Sequence, residues 1–268
     1  PNDSKSLSHN YIESICADSD NNIWIGTLQG ALDKLDYSKK NLTHYTPFQN
    51  QTDISHIQDV FEDSYGNIWV VTSNKGIFFK EHSSDTFIPY FTQEFEQYKS
   101  FFSALSCIQE DVFGNLWISS HMGGVAIYDK KLGHMRFYSE ESPGNQNIAV
   151  NSIECIYRDS HDNMWLASHG GGVSVFSPLA GYVSYHSKSP YPHSLPGNII
   201  SSFFEDSDAN IWVGSDGGGL SQYNPESQSF DSYNFQHGLS SQAVLDICQI
   251  DKHNLAVATW NGGLNLFN

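Results

Sequence analysis

The segment DSDANIWVGS at residues 206–215 recurs in four further copies along the chain and decides the fold. The other copies read DSDNNIWIGT at 18–27, DSYGNIWVVT at 63–72, DVFGNLWISS at 111–120 and DSHDNMWLAS at 159–168. Their tryptophans, spaced 45, 48, 48 and 47 residues apart, are Trp24, Trp69, Trp117, Trp165 and Trp212. A sixth, degenerate copy, DKHNLAVAT at 251–259, has Ala256 in the tryptophan position. The chain therefore consists of six repeats of one structural unit.

Each repeat is predicted to form four short strands, which we label a to d in chain order. In the fifth repeat the segments are IISSFFED at 199–206, NIWVGS at 210–215, GLSQYN at 219–224 and SFDSYN at 229–234, separated by turn-forming Asp, Asn, Gly and Pro residues. A four-stranded antiparallel meander with this period is typical of a β-propeller blade. We therefore predict an all-β fold, a β-propeller of four-stranded antiparallel blades.

The last repeat is incomplete. It stops at Asn268, where its strand c ends, and the segment SLSHN at 6–10 resembles the loop SLPGN at 194–198, so the start of the chain does not supply the absent strand d. The sequence predicts a fragment of a seven-bladed or double-propeller region with an exposed sheet edge. A single propeller domain or propeller fragment is expected over 1–268, with blades at about 1–50, 51–99, 100–147, 148–196, 197–241 and 242–268.

The repeat also predicts the core. An apolar residue, expected to be buried, lies twelve positions before each tryptophan position, at Ile12, Ile57, Leu105, Ile153, Ile200 and Val244. The tryptophans are expected to wedge between blades as structural residues. Aspartates at the turn between strands a and b are expected to cap that turn; they are Asp18, Asp63, Asp111, Asp159 and Asp206.

A metal site and a disulfide are both weakly supported by the sequence. DSDNN at 18–22 resembles the start of a calcium loop, but Tyr65 and Phe113 occupy its third position in other copies, and no Glu follows at the twelfth. The four cysteines lie on strands a of different blades, at a separation too large for a disulfide, so buried free thiols are expected. We predict no metal and no cofactor.

The HGGG sequence at residues 169–172 resembles a lipase oxyanion-hole motif, and the repeat explains it differently. The same turn between strands b and c reads HMGG at 121–124, DGGG at 216–219 and WNGG at 260–263, and the chain contains no GxSxG nucleophile motif. The glycines are therefore expected to supply the positive φ angles of a hairpin turn.

The net charge of the chain disfavours some classes of partner, and the residues on its turns favour a particular class of ligand. The formal net charge is −17, from 30 acidic and 13 basic residues, which disfavours nucleic acid, and no segment resembles a membrane span. The b–c turns and the d–a connections project on one face of a propeller, where polar groups and an indole suit a neutral sugar. The expected ligand-binding residues are His121, His169, Asp216 and Trp260 on b–c turns, and His9, Asn10, Asn151, His193 and Asn198 on d–a connections.

The segment NIISSFFEDSDANIWVGSDGGGLSQYN at 198–224 resembles the two-component regulator propeller repeat, as does 10–36 with weaker glycines. That resemblance covers the chain in six copies. It implies the extracytoplasmic sensor region of a Bacteroides-type hybrid two-component system, the periplasmic part of an inner-membrane protein. Its expected partners are an oligosaccharide, the rest of the parent sensor, including a second propeller and a β-sandwich, and a second copy in a homodimer.

The resemblance favours a ligand-sensing domain without catalysis of its own, which passes a signal to a cytoplasmic histidine kinase elsewhere in the parent. Two alternatives remain. A propeller lyase or glycan-active enzyme would need an acid/base pair, for which His121 and His169 are the candidates, and a protein-interaction scaffold would need no small ligand.

Overall fold

The computed structural model describes residues 6–29, 31–45, 56–142, 147–177, 179 and 182–268. The chain divides into two compact units, Pro1–Met135 and Arg136–Asn268, and each is described separately. Within the described residues, six antiparallel sheets follow one another along the chain, five with four strands and the last with three. The predicted β-propeller blades with an incomplete last blade are thus confirmed. The single domain over 1–268 stays a prediction.

The first unit contains blades 1 and 2 and most of blade 3. Blade 1 consists of β1 (Ile12–Ala17), β2 (Asn22–Thr27), β3 (Leu32–Asp36) and β4 (Asn41–Tyr45). Blade 2 consists of β5 (Ile57–Glu62), β6 (Ile68–Thr72), β7 (Ile77–Lys80) and β8 (Ile88–Tyr90). Blade 3 consists of β9 (Leu105–Glu110), β10 (Leu116–Ser120), β11 (Gly124–Asp129) and β12 (His134–Tyr138), and β12 crosses the boundary between the units.

The second unit contains blades 4 to 6. Blade 4 consists of β13 (Ile153–Arg158), β14 (Met164–Ser168), β15 (Gly172–Ser177) and β16 (Tyr182–His186). Blade 5 consists of β17 (Ile200–Glu205), β18 (Ile211–Ser215), β19 (Gly219–Asn224) and β20 (Ser229–Tyr233). Blade 6 consists of β21 (Val244–Asp251), β22 (Asn254–Thr259) and β23 (Gly263–Phe267). The strands of blade 5 match the sequence segments to within one or two residues.

Two short α-helices among the described residues interrupt the all-β pattern and were not expected. They are α1 (Thr92–Gln97) and α2 (Lys99–Phe102), in the connection between blades 2 and 3. Phe101 and Phe102 are buried, and Phe101 packs so closely on Gly123 that a Cβ there would come within 2.5 Å of its ring. The Glu, Gln and Lys residues of this segment favour a helix, although aromatic residues lie between them. The helix was not predicted because the segment lies within a regular repeat of strands. Within the described residues, no helix has the length and apolar character to cross a membrane.

The tryptophans and the turn aspartates form one repeated hydrogen-bonded group. In blade 1, Asp18 Oδ2 accepts a bond from Trp24 Nε1 at 2.8 Å, while Asp18 Oδ1 accepts the Asn22 backbone N–H at 2.7 Å. The same indole-to-carboxylate bond occurs in the next four blades, at 2.7 to 2.9 Å, in the pairs Trp69–Asp63, Trp117–Asp111, Trp165–Asp159 and Trp212–Asp206. Each aspartate therefore ties strand b to its own turn.

Neighbouring blades pack through these indoles within each unit. Trp24 of blade 1 is fully buried in a cluster with Ile57, Val70 and Phe78 of blade 2, and Trp212 of blade 5 packs with Val257 of blade 6. The burial of a large aromatic side chain is the main local contribution to such an interface, and truncation to Ala costs about 3–5 kcal/mol.

Two burial expectations were wrong. Five of the six apolar strand-a residues are at most 1% exposed, but Ile12 is 37% exposed. Ile57 and Val244 pack on glycines of the preceding blade, Gly26 and Gly214, whereas no described glycine has Ile12 among its nearest neighbours. The thiols are free, as expected, but three are only partly buried and Cys248 is exposed.

Candidate functional site

A groove of about 380 Å³ opens in the second unit where the b–c turns of blades 4, 5 and 6 meet inner strands. We call it the turn groove. Its lining residues are Glu154, His169, Ile199, Ile200, Ser201, Asp216, Ala243, Val244, Leu245 and Trp260. Three of the residues expected to bind ligand, His169, Asp216 and Trp260, are therefore brought together.

The repeat places these three residues equivalently. Each is the first residue after strand b, and its backbone N–H donates to the carbonyl of the residue immediately before strand a of the same blade. The bonds run from His169 to Ser152 at 3.0 Å, from Asp216 to Ile199 at 2.8 Å and from Trp260 to Ala243 at 2.8 Å. The turn that follows needs left-handed residues, so φ is +110° at Gly170, +80° at Gly217 and +58° at Asn261. The HGGG sequence is thus a hairpin turn, as expected.

The side chains of these three residues are not used by the fold. His169 and Asp216 are exposed, and the Trp260 ring is 62% exposed. Among the residues that the structure describes, none forms a hydrogen bond, ion pair or ring contact with any of the three side chains. An imidazole, a carboxylate and an indole are therefore all available to a ligand in one groove.

Three other expected ligand residues have structural partners and do not line the turn groove. Asn151 Oδ1 accepts the Glu140 backbone N–H at 2.9 Å, and Asn151 Nδ2 donates to Glu140 Oε1 at 3.2 Å. Asn198 Oδ1 accepts the Lys188 backbone N–H at 2.5 Å. His193 has a φ of +62°, and its Nδ1 lies 3.1 Å from Asp231 Oδ1. Amide side chains in connections more readily hold the loop than face a ligand.

The remaining three expected residues lie in the first unit. His9 Nδ1 accepts the Tyr11 backbone N–H at 3.1 Å, and the His9 and Tyr11 rings are 5.5 Å apart. Asn10 is exposed. The backbone N–H of His121 donates to the Ala104 carbonyl at 2.8 Å, in the turn on which α2 packs. A ligand-binding role for these residues stays a prediction.

Sequence reasoning missed two residues that line the turn groove, Glu154 and Leu245. With Ser201 they occupy the same repeat position, eleven residues before the tryptophan position on strand a. That position holds Glu, Gln, Ser, Glu, Ser and Leu in the six copies, directly after an apolar residue in every copy. A position that varies between repeats, next to a position that is always apolar, indicates a side chain that does not contribute to the core. This pattern could have identified Glu154 and Leu245 from the sequence.

Comparison with known proteins agrees with this architecture. The model of the two component regulator propeller family matches residues 6–29, 53–74 and 194–217. No curated protein matches the sequence. Among solved structures, one described as the extracellular domain of a hybrid two component system from B. thetaiotaomicron is 21% identical, with a TM-score of 0.74 over 98% of this chain and 34% of that chain.

Two further solved structures share the fold. One, described as the extracellular domain of a one component system from B. thetaiotaomicron, is 22% identical, with a TM-score of 0.70 over 98% of this chain and 35% of that chain. The other, a virginiamycin B lyase from Staphylococcus aureus, is 14% identical, with a TM-score of 0.68 over 97% of this chain and 86% of that chain. This chain spans about a third of the length of the two B. thetaiotaomicron chains.

The repeat pattern, the three matched segments and the blade structure point to one family. The segment at 194–217 includes strands a and b of blade 5, with the Asp206–Trp212 bond and the start of the turn that lines the groove. This chain carries repeats of the two component regulator propeller family, matched at residues 6–29, 53–74 and 194–217.

Proposed function

We propose that this chain is part of the extracytoplasmic sensor region of a hybrid two-component system, and that its turn groove binds an oligosaccharide or polysaccharide fragment. One observation carries the proposal: His169, Asp216 and Trp260 line one groove with side chains that have no partner among the described residues. Sugar hydroxyls need hydrogen-bonding partners, and the apolar face of a sugar ring stacks on an exposed indole.

Binding in this groove would bridge three blades. Each of the three residues belongs to a different b–c turn, so a ligand in contact with all of them favours the packing in which the turns are close. A ligand shifts an equilibrium only by its difference in affinity for two states, and this contact supplies such a difference. In the intact inner-membrane parent, the shift would pass from the periplasm to a cytoplasmic histidine kinase outside this chain.

An enzyme is the second candidate function. Glu154 and Asp216 share the groove with His169, and a histidine beside a carboxylate is a usual acid/base pair. The fold shared with a lyase adds only that such chemistry is compatible with propeller blades. We rank sensing above catalysis because the groove contains an exposed apolar platform, Trp260 with Leu245, which suits ligand retention.

Calorimetric titration of the purified chain with a panel of neutral, acidic and amino oligosaccharides tests the proposal. We expect one class to bind without turnover, and Trp260→Ala to weaken that binding about tenfold, the equivalent of one lost stacking contact. Tyr37→Ala is the matched control, since Tyr37 is 69% exposed in the first unit, and it should bind normally.

Three other outcomes would reject the sensing proposal. Equal binding by Trp260→Ala and Tyr37→Ala would remove the turn groove from the interaction. Product release by the wild type that is lost in His169→Ala would establish the enzyme. Absence of any saccharide binding, with a protein partner recovered by pull-down, would favour the interaction scaffold.

A further inference from the structure

The turn groove is lined by two carboxylates and by no Lys or Arg. Its titratable lining residues are Glu154, Asp216 and His169, and none of its lining residues is Lys or Arg. The Asp216 carboxylate is exposed and receives no hydrogen bond from any residue that the structure describes. An anionic ligand placed here would meet the Asp216 carboxylate, which has no partner of opposite charge among the described residues.

The surrounding sequence strengthens this field. Residues 136–268 contain 13 acidic and 4 basic residues, a formal net charge of −9 with histidines neutral. The four basic residues, none of which lines the turn groove, are Arg136, Arg158, Lys188 and Lys252. Arg158 is also bound to Asp162 in its own a–b turn. A unit of this charge attracts cations to its clefts and repels anions from them.

The aromatic side of the groove favours the same charge. The Trp260 ring has no ring contact among the described residues, and a cation above an indole face is stabilised by the negative face of the ring. Leu245, 47% exposed, adds apolar surface for the carbon skeleton of a sugar. An ammonium group is the sugar substituent that both a carboxylate and an indole face attract.

From this arrangement we infer that the turn groove selects an amino sugar with a free, protonated amine over N-acetylated and acidic sugars. The inference rests on the proposed saccharide-binding function and names its ligand class. The ammonium group lies against the Asp216 carboxylate and the sugar ring against Trp260. N-acetylation removes the charge and leaves only the neutral contacts, while a uronic acid adds repulsion.

Calorimetry with three matched tetrasaccharides at pH 6 and low salt tests this inference: tetraglucosamine, tetra-N-acetylglucosamine and tetragalacturonate. We expect tetraglucosamine to bind at least about tenfold more tightly than its N-acetylated form, as one charge-assisted hydrogen bond predicts, and tetragalacturonate not to bind. Added salt should reduce the preference, because the interaction is between charges.

Two variants distinguish the effect of the Asp216 charge in the groove from the effect of the net charge of the unit. Asp216→Asn should bring the affinity for tetraglucosamine to within about threefold of that for the N-acetylated form, whose own affinity should not change. Glu226→Gln removes one charge from an exposed turn outside the groove and should keep the full preference. Equal losses in the two variants would attribute the effect to net charge and overturn the inference.

The remaining outcomes distinguish the inference from the function on which it rests. If tetra-N-acetylglucosamine or tetragalacturonate binds as tightly as tetraglucosamine, and Trp260→Ala weakens that binding, the saccharide site stands and the amine selectivity is wrong. If no saccharide binds but spermidine does, and Asp216→Asn abolishes its binding, the groove is a cation site without sugar recognition, and both proposals fail.

Discussion

Glu62 of blade 2 holds Ser19 in the a–b turn of blade 1 with both carboxylate oxygens: the Ser19 backbone N–H donates to Oε2 and the Ser19 hydroxyl to Oε1, each at 2.8 Å. The same relation joins other blades within each unit. The backbone N–H of Ser64 donates to Glu110 at 2.8 Å, that of Ser160 to Glu205 at 2.7 Å and that of Ser207 to Gln249 at 2.9 Å. The acceptor is always seven residues before the tryptophan position of the next blade.

Removal of this bridge should destabilise the first unit. We expect Glu62→Ala to lower the free energy of unfolding by about 1–2 kcal/mol, since two hydrogen bonds to a charged acceptor are lost at a partly solvated site. Glu62→Gln should lose much less, because Gln249 already makes this contact: its amide oxygen accepts the Ser207 N–H, and its amide nitrogen donates to the Ser207 hydroxyl. Urea unfolding of both variants measures the difference. Equal loss in the two variants would show that the carboxylate charge, and not the paired geometry, holds the turn.

The glycines of HGGG should differ in their tolerance of a side chain. At Gly172, with a φ of +78°, a Cβ would come within 2.2 Å of the His186 carbonyl oxygen. At Gly170, with a φ of +110°, a Cβ would meet nothing within 4 Å. Gly172→Ala should therefore cost about 2–4 kcal/mol, from strain and displaced backbone, and Gly170→Ala only about 1–2 kcal/mol.

Thermal melting of the two glycine variants provides the measurement. A melting temperature for Gly172→Ala equal to that for Gly170→Ala would mean that the turn relaxes easily around the new methyl group, contrary to the close approach of blade 4's strand d.

Asp59 should give stability an unusual dependence on pH. Desolvation on β5 raises the pKa of Asp59 from 3.8 to about 6, although its carboxylate accepts the Val60 and Ile108 backbone N–H groups at 2.8 and 3.0 Å. Between pH 4 and pH 6 the unfolded chain has lost this proton while the folded chain retains it. The contribution of Asp59 is therefore full below about pH 4 and is lost as pH rises through 6, by about 2–3 kcal/mol in all.

Comparison with Asp59→Asn isolates that contribution. The free energy of unfolding of the variant should not show the fall between pH 4 and pH 6 that Asp59 causes. This holds even if the substitution changes the stability at any single pH. Turn carboxylates such as Asp18 and Asp206, whose pKa values are lowered mainly by indole and amide hydrogen bonds against the effect of burial, lose stability as pH falls and cancel in the difference. Parallel profiles for wild type and variant from pH 4 to pH 7 would refute the assignment.

The blades could be predicted from the sequence because the same side chains recur at a fixed spacing and have the same structural role in each copy. Trp165, Asp159 and Gly172 are examples: each satisfies a local requirement of a hairpin or a blade contact, so its role is readable from position. The bridge between Ser19 and Glu62 was missed because its residues are 43 positions apart and belong to different repeats. Helix α2 was missed because a 4-residue helix has little periodicity of its own.

The candidate site was only partly readable. Because the b–c turn repeats, the sequence assigns His169, Asp216 and Trp260 to equivalent turns, and the structure brings them into one groove. Asn151 and Asn198 were chosen for their polarity, but polarity does not reveal that a backbone N–H already uses the side chain. Glu154 lies on β13 and Leu245 on β21, and each follows a buried core residue. Their place on a strand alone therefore did not distinguish them from core positions.

Trp260 itself offers the most direct test of the turn groove as a saccharide site. The five repeat tryptophans are at most 7% exposed, while Trp260 is 62% exposed, so acrylamide quenching of tryptophan fluorescence reports chiefly on Trp260. A stacked sugar ring excludes the quencher from the indole face.

The decisive measurement is the acrylamide quenching constant with and without a saturating oligosaccharide, for wild type and for Trp260→Phe. The account predicts that the sugar lowers the constant in the wild type and leaves the already low constant of Trp260→Phe unchanged. An unchanged constant in the wild type, at a sugar concentration that calorimetry shows to be saturating, would contradict it.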